Sequence, residues 1–469
     1  MATSDDVAFL SATALIAGYR KGSFSPVEVA RAILERIDAC NGHLTAYLTV
    51  THDQALADAR VAENAYRTNS AGPLSGVPLS IKDLTPTKGI RTSKGSLVDP
   101  NWVPDFDPPL VERVKRAGSV MLGKTNTPEL GWKGDSNNRI VGPTHNPWKH
   151  GKTAGGSSGG AGAAVAAGLG PMAQGSDGAG SIRIPAAFCG IYGIKPSFGL
   201  VPQYPASAVG DVSHLGPMTR TVRDAALMLS VIAGADARDR LSWSSDVDYV
   251  SACEGGVRGL RIAWSPDLGY AKVPAEIRTL CAAAASAFSE LGAHVVEASP
   301  DLGDPVAISS TLWGLSMAAV FRDRWEEVRE LLDPGLVRVI EHTKDAPGID
   351  ALALIQERNR YYDGFRKFMA GYDLLLTPTL PCVAFDAGLD EPPMGDRHYQ
   401  VPLDWTPFTY PFNLTGNPAA TVPCGFVDGL PVGLQIVGRF KDDATVLRAS
   451  AAFEAIRPWA NLLPPDLGC

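Results

Sequence analysis

Three groupings of residues in this 469-residue chain have types and spacing suited to chemistry. Gly118-x-x-x-x-Gly123-Lys124-Thr125 fits a phosphate-binding loop, whose backbone N–H groups cradle phosphate oxygens. Its intervening residues include Val120, Met121 and Leu122, which read as a buried strand. The loop must follow a strand rather than be one, so phosphate binding is not expected here. Gly155-x-Ser157-x-Gly159 and Gly156-x-Ser158-x-Gly160 both fit a nucleophile elbow. An elbow needs a buried strand directly before it, and residues 146–153 are polar and turn-like. The eight histidines are scattered, and His214, the nearest downstream, is equally well explained as a loop residue. The third grouping is the richest: Gly155-Gly-Ser157-Ser158-Gly-Gly160, then Gly175-Ser-Asp177-Gly178-Ala179-Gly180-Ser181-Ile-Arg183-Ile184-Pro185-Ala186, with Lys82-Asp83 upstream.

These words closely resemble the amidase signature family. The 24-residue interval from Ser157 to Ser181 is the family's usual one. Flanking words agree: Asn146-Pro147, Ala187-Phe-Cys-Gly190, Gly193-Ile-Lys-Pro196 and Leu215-Gly-Pro-Met218. The strong resemblance covers about residues 70–225 and returns at Phe412-Asn-Leu-Thr-Gly-Asn-Pro and Gly433-Leu-Gln-Ile-Val-Gly438. It implies an α/β fold with a mixed central sheet covered by helices on both faces. It implies that Ser181 is the nucleophile of an acyl-enzyme, Lys82 the base, and Ser157 a bridge between them held by a cis peptide. The backbone N–H groups of Gly178, Ala179, Gly180 and Ser181 would form the oxyanion hole. Families of this kind often carry Thr-Gly-Gly or Ile-Gly-Gly before the serine; Gly178-Ala179-Gly180 adds one methyl. Ser158, Asp83, Asp177 and Arg183 would support the site, Asp83 by orienting Lys82 and Asp177 with Arg183 by bracing the loop.

The chemistry is sound in its own right. A serine hydroxyl attacks an amide only when a base takes its proton. An ordinary lysine titrates near 10.4, so at pH 7.4 about one in a thousand is neutral, a cost of roughly 4 kcal/mol. Burial lowers that cost by disfavouring the ammonium, and Lys82 ends an apolar strand. Small residues around Ser181 let a substrate carbonyl approach backbone donors. For the substrate pocket the candidates are aromatic: Trp132, Trp313, Trp405, Phe408, Tyr410 and Phe412. The expected reaction is hydrolysis of an apolar or aryl carboxylic amide, with esters and carbamates open to the same machinery. The alternative is the glutamine-hydrolysing component of a tRNA-dependent amidotransferase. Those proteins usually carry glutamine where Ile184 stands here, which favours a free-standing amidase.

The elements that must position these residues follow from patterning. Ser25-Pro26-Val27-Glu28 is a capping box opening a helix with Ala30, Ile33, Leu34 and Ile37 on one face, ended by Asn41-Gly42; the first 65 residues read as helices. Val77, Leu79 and Ile81 mark a short strand, residues 110–117 a helix, and 120–122 a buried strand. Thr221-x-x-Asp224 caps another helix. Residues 260–264, 275–291 and 294–296 form a strand, helix, strand unit; 300–370 are mainly helical; 373–376 are a strand; 377–406 wander as a proline-rich loop. Asp428-Gly429 joins a hairpin. No internal repeat or linker divides the chain. One domain over 1–469 is expected, with N-terminal helices (1–65), the signature core (70–225) and a C-terminal elaboration (235–469).

Composition narrows the rest. Hydrophobic residues are 45% and charged ones 20%, which excludes wholesale disorder. A net charge of −8 gives no bulk attraction for nucleic acid. Seven cysteines without a close pair show no CxxC pattern, so neither a metal nor a disulfide framework is expected and a cytoplasmic setting is the default. The first ten residues lack a basic n-region, and the apolar run 161–172 is too short to span a bilayer. No cofactor is implied. The expected partner is a small-molecule amide, and nothing distinguishes a monomer from a homodimer.

Overall fold

A computed structural model describes residues 7–393, 403–465 and 467. Eleven strands form one sheet: β1 (Tyr47–Val50), β2 (Pro78–Lys82), β3 (Val120–Thr125), β8 (Met172–Asp177), β9 (Tyr192–Lys195), β10 (His214–Thr219), β11 (Arg261–Trp264), β12 (His294–Glu297), β13 (Leu374–Pro378), β14 (Ala419–Val427) and β15 (Leu430–Gly438). Between β3 and β8 the chain makes two small ribbons, β4 (Asn137–Asn138) with β5 (Gly142–Pro143) and β6 (His145–Asn146) with β7 (Lys149–Thr153). The sheet order is β1-β3-β2-β8-β10-β9-β14-β15-β13-β11-β12. β3, β2 and β8 run parallel, as do β13, β11 and β12, and the strands between are antiparallel. The mixed sheet expected from the sequence is present.

Helices cover both faces, so strand residues of both parities are apolar. In β3, Met121 enters one core with Leu79, Ile81 and Met172, beneath the helices Val222–Ile232 and Asp443–Ile456. Val120 and Leu122 enter the other, with Ile33, Ile37 and the alanines of the helix Gly159–Ala166. The whole of β2 is buried, so polar Ser80 and Lys82 are held inside the molecule by their position in it.

Local signals act as their chemistry requires. The Ser25 hydroxyl accepts from Glu28 N–H, and the Glu28 carboxylate accepts from Ser25 N–H. The helix nevertheless runs from Pro26 to Leu44, past Asn41-Gly42. Asn41 is not a stop: its side-chain amide bonds both backbone groups of Tyr47, tying the helix to β1. That four-residue strand was not expected among the N-terminal helices. The unit β11, helix Ala275–Glu290, β12 is parallel as expected. Asp428 and Gly429 both have positive φ, which suits a tight hairpin turn. Residues 118–125 are strand rather than loop from Val120 on, with Lys124 buried, so the phosphate-loop pattern is fortuitous. Cys40 is disulfide-bonded, which the cysteine spacing did not suggest, while Cys189, Cys253, Cys281, Cys382 and Cys424 are free thiols. Among the described residues no helix is long and apolar enough to cross a membrane.

Candidate active site

The parallel strands β2 and β8 end together, at Lys82 and Asp177, and the carboxyl ends of such strands are where open α/β sheets place ligands. Lys82 has no exposed surface. Its Nζ lies 2.7 Å from Ser157 Oγ, 2.9 Å from Ser158 Oγ and 3.0 Å from Ser176 Oγ. Burial holds its pKa well below the ordinary lysine value, opposed by the more distant charge of Asp177. Among the described residues no carboxylate makes an ion pair with it.

Ser157 and Ser158 reach Lys82 through the turn before the helix Gly159–Ala166, which contains a cis peptide at Gly156–Ser157. Gly160 seats that helix on the end of β3: a Cβ there would lie 2.3 Å from Asn126 N and 2.4 Å from Ala46 O. Ser158 fastens the turn to β8, its hydroxyl donating to Ser176 O (3.1 Å) and accepting from Ser176 N (3.2 Å). This narrows the proton arrangement. A neutral amine has two N–H groups and one lone pair, and a hydroxyl has one proton to give. The Ser158 proton is committed to Ser176 O, so Ser158 can only accept from Lys82. Ser157, the nearest hydroxyl, and Ser176 are free to donate to the lysine lone pair.

Ser181 follows β8 on a loop that a buried ion pair braces. Arg183 donates to Asp177 through Nε and Nη2, both at 2.9 Å, with neither side chain exposed. Its remaining donors reach Thr409 O, Gln435 Oε1 and Asn413 Oδ1. Burial alone would raise the Asp177 pKa, but Arg183 holds it well below the usual carboxylate range. The same carboxylate accepts from Gly180 N (2.7 Å) and Ile182 N (3.2 Å). Gly180, at φ +130, also lies too close to Thr409 for any side chain. Its N–H is therefore occupied by Asp177 and not available to a substrate, which corrects its place among the expected oxyanion donors. Gly178, Ala179 and Ser181 remain. Ser157 and Ser181 line one cavity of about 340 Å³. No histidine is on its described lining; His214 turns its Nδ1 to the carbonyls of Asp177 and Val212.

Comparison with known proteins identifies the family. A family model described as Amidase matches residues 28–447. The chain belongs to the amidase family. It is 43% identical over 475 residues to an acylamidase of Rhodococcus erythropolis, covering 99% of each chain. It is 38% identical over 490 residues to a glutamyl-tRNA(Gln) amidotransferase component of Moorella thermoacetica, covering 98% of this chain and 99% of that one. The solved structure of a bacterial aryl acylamidase of the amidase signature family superposes with a TM-score of 0.91 at 33% identity, over 96% of this chain and 97% of that one.

Other sequence expectations for this amidase are revised by the structure. Asp83 does not touch Lys82. It faces Lys124 at 3.4 Å and accepts from Ser93 Oγ (2.6 Å) and Lys94 N (2.9 Å). Of the pocket aromatics only Trp313 lines the cavity. Trp405 packs with Phe188 and Phe385, Phe408 and Phe412 with Phe365, and Trp132 against Gly335. Tyr410 is fully buried, its hydroxyl donating to Asp304. Within residues 403–412 the direct bonds to the Asp177 loop come from Thr409, whose carbonyl accepts from Arg183 and whose hydroxyl donates to Ala179 O, while the rings of Trp405, Phe408 and Phe412 pack into core clusters. The walls come instead from Leu130, Trp102, Val209, Met317 and the segment 203–209. Ser176, the third hydroxyl on Lys82, was also missed; its place at the end of the strand beside β2, within the signature words, was the available signal.

Proposed function

We propose that Ser181 is the nucleophile of this amidase, Lys82 its general base, and Ser157 the proton relay between them. The carrying observation is a fully buried lysine whose contacts within hydrogen-bond reach are three hydroxyls and no carboxylate. With Lys82 neutral, Ser157 donates to its lone pair and accepts from Ser181 as Ser181 attacks the amide carbonyl. The proton pair shift leaves Lys82 as ammonium and an oxyanion facing the N–H groups of Gly178, Ala179 and Ser181. The leaving amine takes the proton back through Ser157. Water then attacks the acyl-enzyme by the same relay, releasing the acid. Among the described residues no hydrogen bond joins the Ser181 and Ser157 hydroxyls. Such bonds commonly tighten only when substrate is bound.

The cavity suits an apolar or aryl amide. Its walls are largely Leu84, Leu130, Trp102, Val209, Trp313 and Met317, and its described lining includes no carboxylate. Glutamine would bring an α-ammonium that needs a buried anionic or strongly polar partner. Ile184, in the place usually held by glutamine in the amidotransferase proteins, is buried against Phe188 and Trp405. The chain is read as one catalytic unit acting alone, without tRNA. Purified protein should release acid from an aryl or alkyl amide faster than ammonia from glutamine. Strong preference for glutamine, or activity only with tRNA and an added partner protein, would reject this reading.

A further inference from the structure

Lys94 is the one charged side chain on the described lining of the cavity that holds Ser157 and Ser181, and the acyl-transfer steps do not use it. Its backbone is fixed from both sides. Lys94 N–H donates to Asp83 Oδ2 (2.9 Å), and Lys94 C=O accepts from Leu130 N (2.9 Å). The residue adopts φ +57, a left-handed conformation that persists only where its surroundings enforce it. The side chain thus leaves from a fixed point. Its ammonium lies 4.6 Å from the centre of the Trp102 ring, and Trp102 lines the same cavity.

Asp99 and Asp83 act on the Lys94 ammonium through their charge, but each makes its direct contacts elsewhere. Asp83 faces Lys124 and accepts from Ser93. Asp99 pairs with Arg324 at 3.5 Å. Among the described residues the Lys94 ammonium has no hydrogen bond or ion pair of its own. Beyond it lies an adjoining cavity of about 650 Å³ that shares Lys94, Trp102, Leu130 and Val320 with the first. Lys94 therefore stands on the partition between the reacting serine and further space for substrate. A half-buried cation with no direct ion pair, resting on an aromatic face, is suited to a compact anion, because charge-assisted hydrogen bonds are strong where water is partly excluded.

We propose that Lys94 selects amides bearing a carboxylate remote from the scissile carbonyl, with the intervening aryl group beside Trp102. This rests on the acyl-transfer reading above and adds a substrate class to it: N-acyl aminoarenes carrying an acid, which lack the α-ammonium of glutamine. It makes Lys94 a specificity residue and gives Asp83 the task of holding it in place.

The test uses two substrates of one shape and different charge, 4-acetamidobenzoate and 4-nitroacetanilide. The ratio of their kcat/KM values is compared between wild type, Lys94→Met and Lys94→Arg, so that the intrinsic reactivity of each leaving group cancels. Methionine keeps the length and needs no new backbone conformation. Lys94→Met should lower the anion-to-neutral ratio at least about tenfold, chiefly through KM, and Lys94→Arg should keep it within about threefold. A ratio unchanged in Lys94→Met would overturn the proposal. So would an equal fall for both substrates that arginine does not rescue, since that marks a structural role. A second arm needs no turnover: calorimetric binding of 4-acetamidobenzoate to Ser181→Ala should weaken at least about tenfold when Lys94→Met is added. Equal binding, or none, in the two proteins rejects the subsite. Lys94-dependent binding in an enzyme that cleaves neither compound would instead reject the acyl-transfer reading and leave the subsite standing.

Discussion

The ends of β2 and β3 lie side by side, Ile81 opposite Lys124 and Lys82 opposite Thr125, and each strand carries a lysine with no exposed surface. Their surroundings differ. Lys124 faces the Asp83 carboxylate at 3.4 Å and donates to Thr85 O and Thr92 Oγ1. Burial brings its pKa down to about 8, with Asp83 opposing the fall. Lys82 meets three hydroxyls instead, and burial takes it well below the ordinary value. A carboxylate supports only the ammonium, whereas a hydroxyl donates to an amine as readily as it accepts from an ammonium. Burial alone does not make a base; burial among groups that tolerate both protonation states does. On the proposed reading, Lys124 is the structural cation of the pair and Lys82 the chemical one.

The largest effect should come from removing the chemical partners. Ser181→Ala and Lys82→Ala should each lower kcat/KM for an aryl amide by at least about 10³-fold, near the upper range for a general base or more. No single histidine replacement that folds should do so. A Lys82→Ala enzyme at the wild-type rate would end the distinction between the two lysines.

Lys124→Met probes the other side. It strands the Asp83 carboxylate in the interior without its cation, which typically costs about 3 kcal/mol or more. Urea unfolding should show that loss, while the folded fraction keeps kcat within about tenfold of wild type. Activity lost as in Lys82→Ala, with stability unchanged, would mean the roles had been assigned to the wrong lysine.

The pH dependence sharpens the contrast. Lys82 acts as a base only when neutral, so kcat/KM should rise about tenfold per pH unit below its pKa and level off above it. Its lowered pKa places that limb at a lower pH than an ordinary lysine would. Asp177 favours the ammonium through its charge. Asp177→Asn should therefore move the limb further toward acid, although the loosened loop also lowers the plateau. A limb that moves toward alkali would contradict the sign of this coupling.

The smallest expected effect separates the tryptophans. Trp313 lines the cavity and Trp405 packs against Phe188 and Phe385. Trp313→Ala should raise KM about tenfold for an aryl amide. Trp405→Phe should leave KM within about twofold and register instead as lost stability.

This division also explains what the sequence made legible. Caps and turns are local, so Ser25 with Glu28, Thr221 with Asp224 and Asp428-Gly429 could be read directly. The meeting of Lys82 with Ser157 and the shared cavity of Ser157 and Ser181 were legible because glycine-dense words surround the serines, and close approaches such as that of Gly160 to β3 tolerate nothing larger. Asp83 misled because adjacent strand residues point to opposite faces, and its partners come from residues 93, 94 and 124. The pocket was largely illegible. An aromatic side chain satisfies a core and a cavity wall equally well, and the walls here come from segments far apart in the chain, near residues 102, 130, 205 and 313. Gly180 failed as an oxyanion donor for a similar reason: only the folded loop shows that Asp177 takes its N–H.

The central claim is that neutral Lys82 activates Ser181, and the most direct test is the pH dependence of covalent labelling. Wild type and Lys82→Met are reacted with a fluorophosphonate, and the site and rate of labelling are read by peptide mass spectrometry from acid to alkaline pH. In wild type the label should fall on Ser181, at a rate rising about tenfold per pH unit to a plateau; in Lys82→Met that rise should disappear along with most of the rate. Labelling on Ser158, or a Lys82→Met profile that matches wild type, would contradict the account.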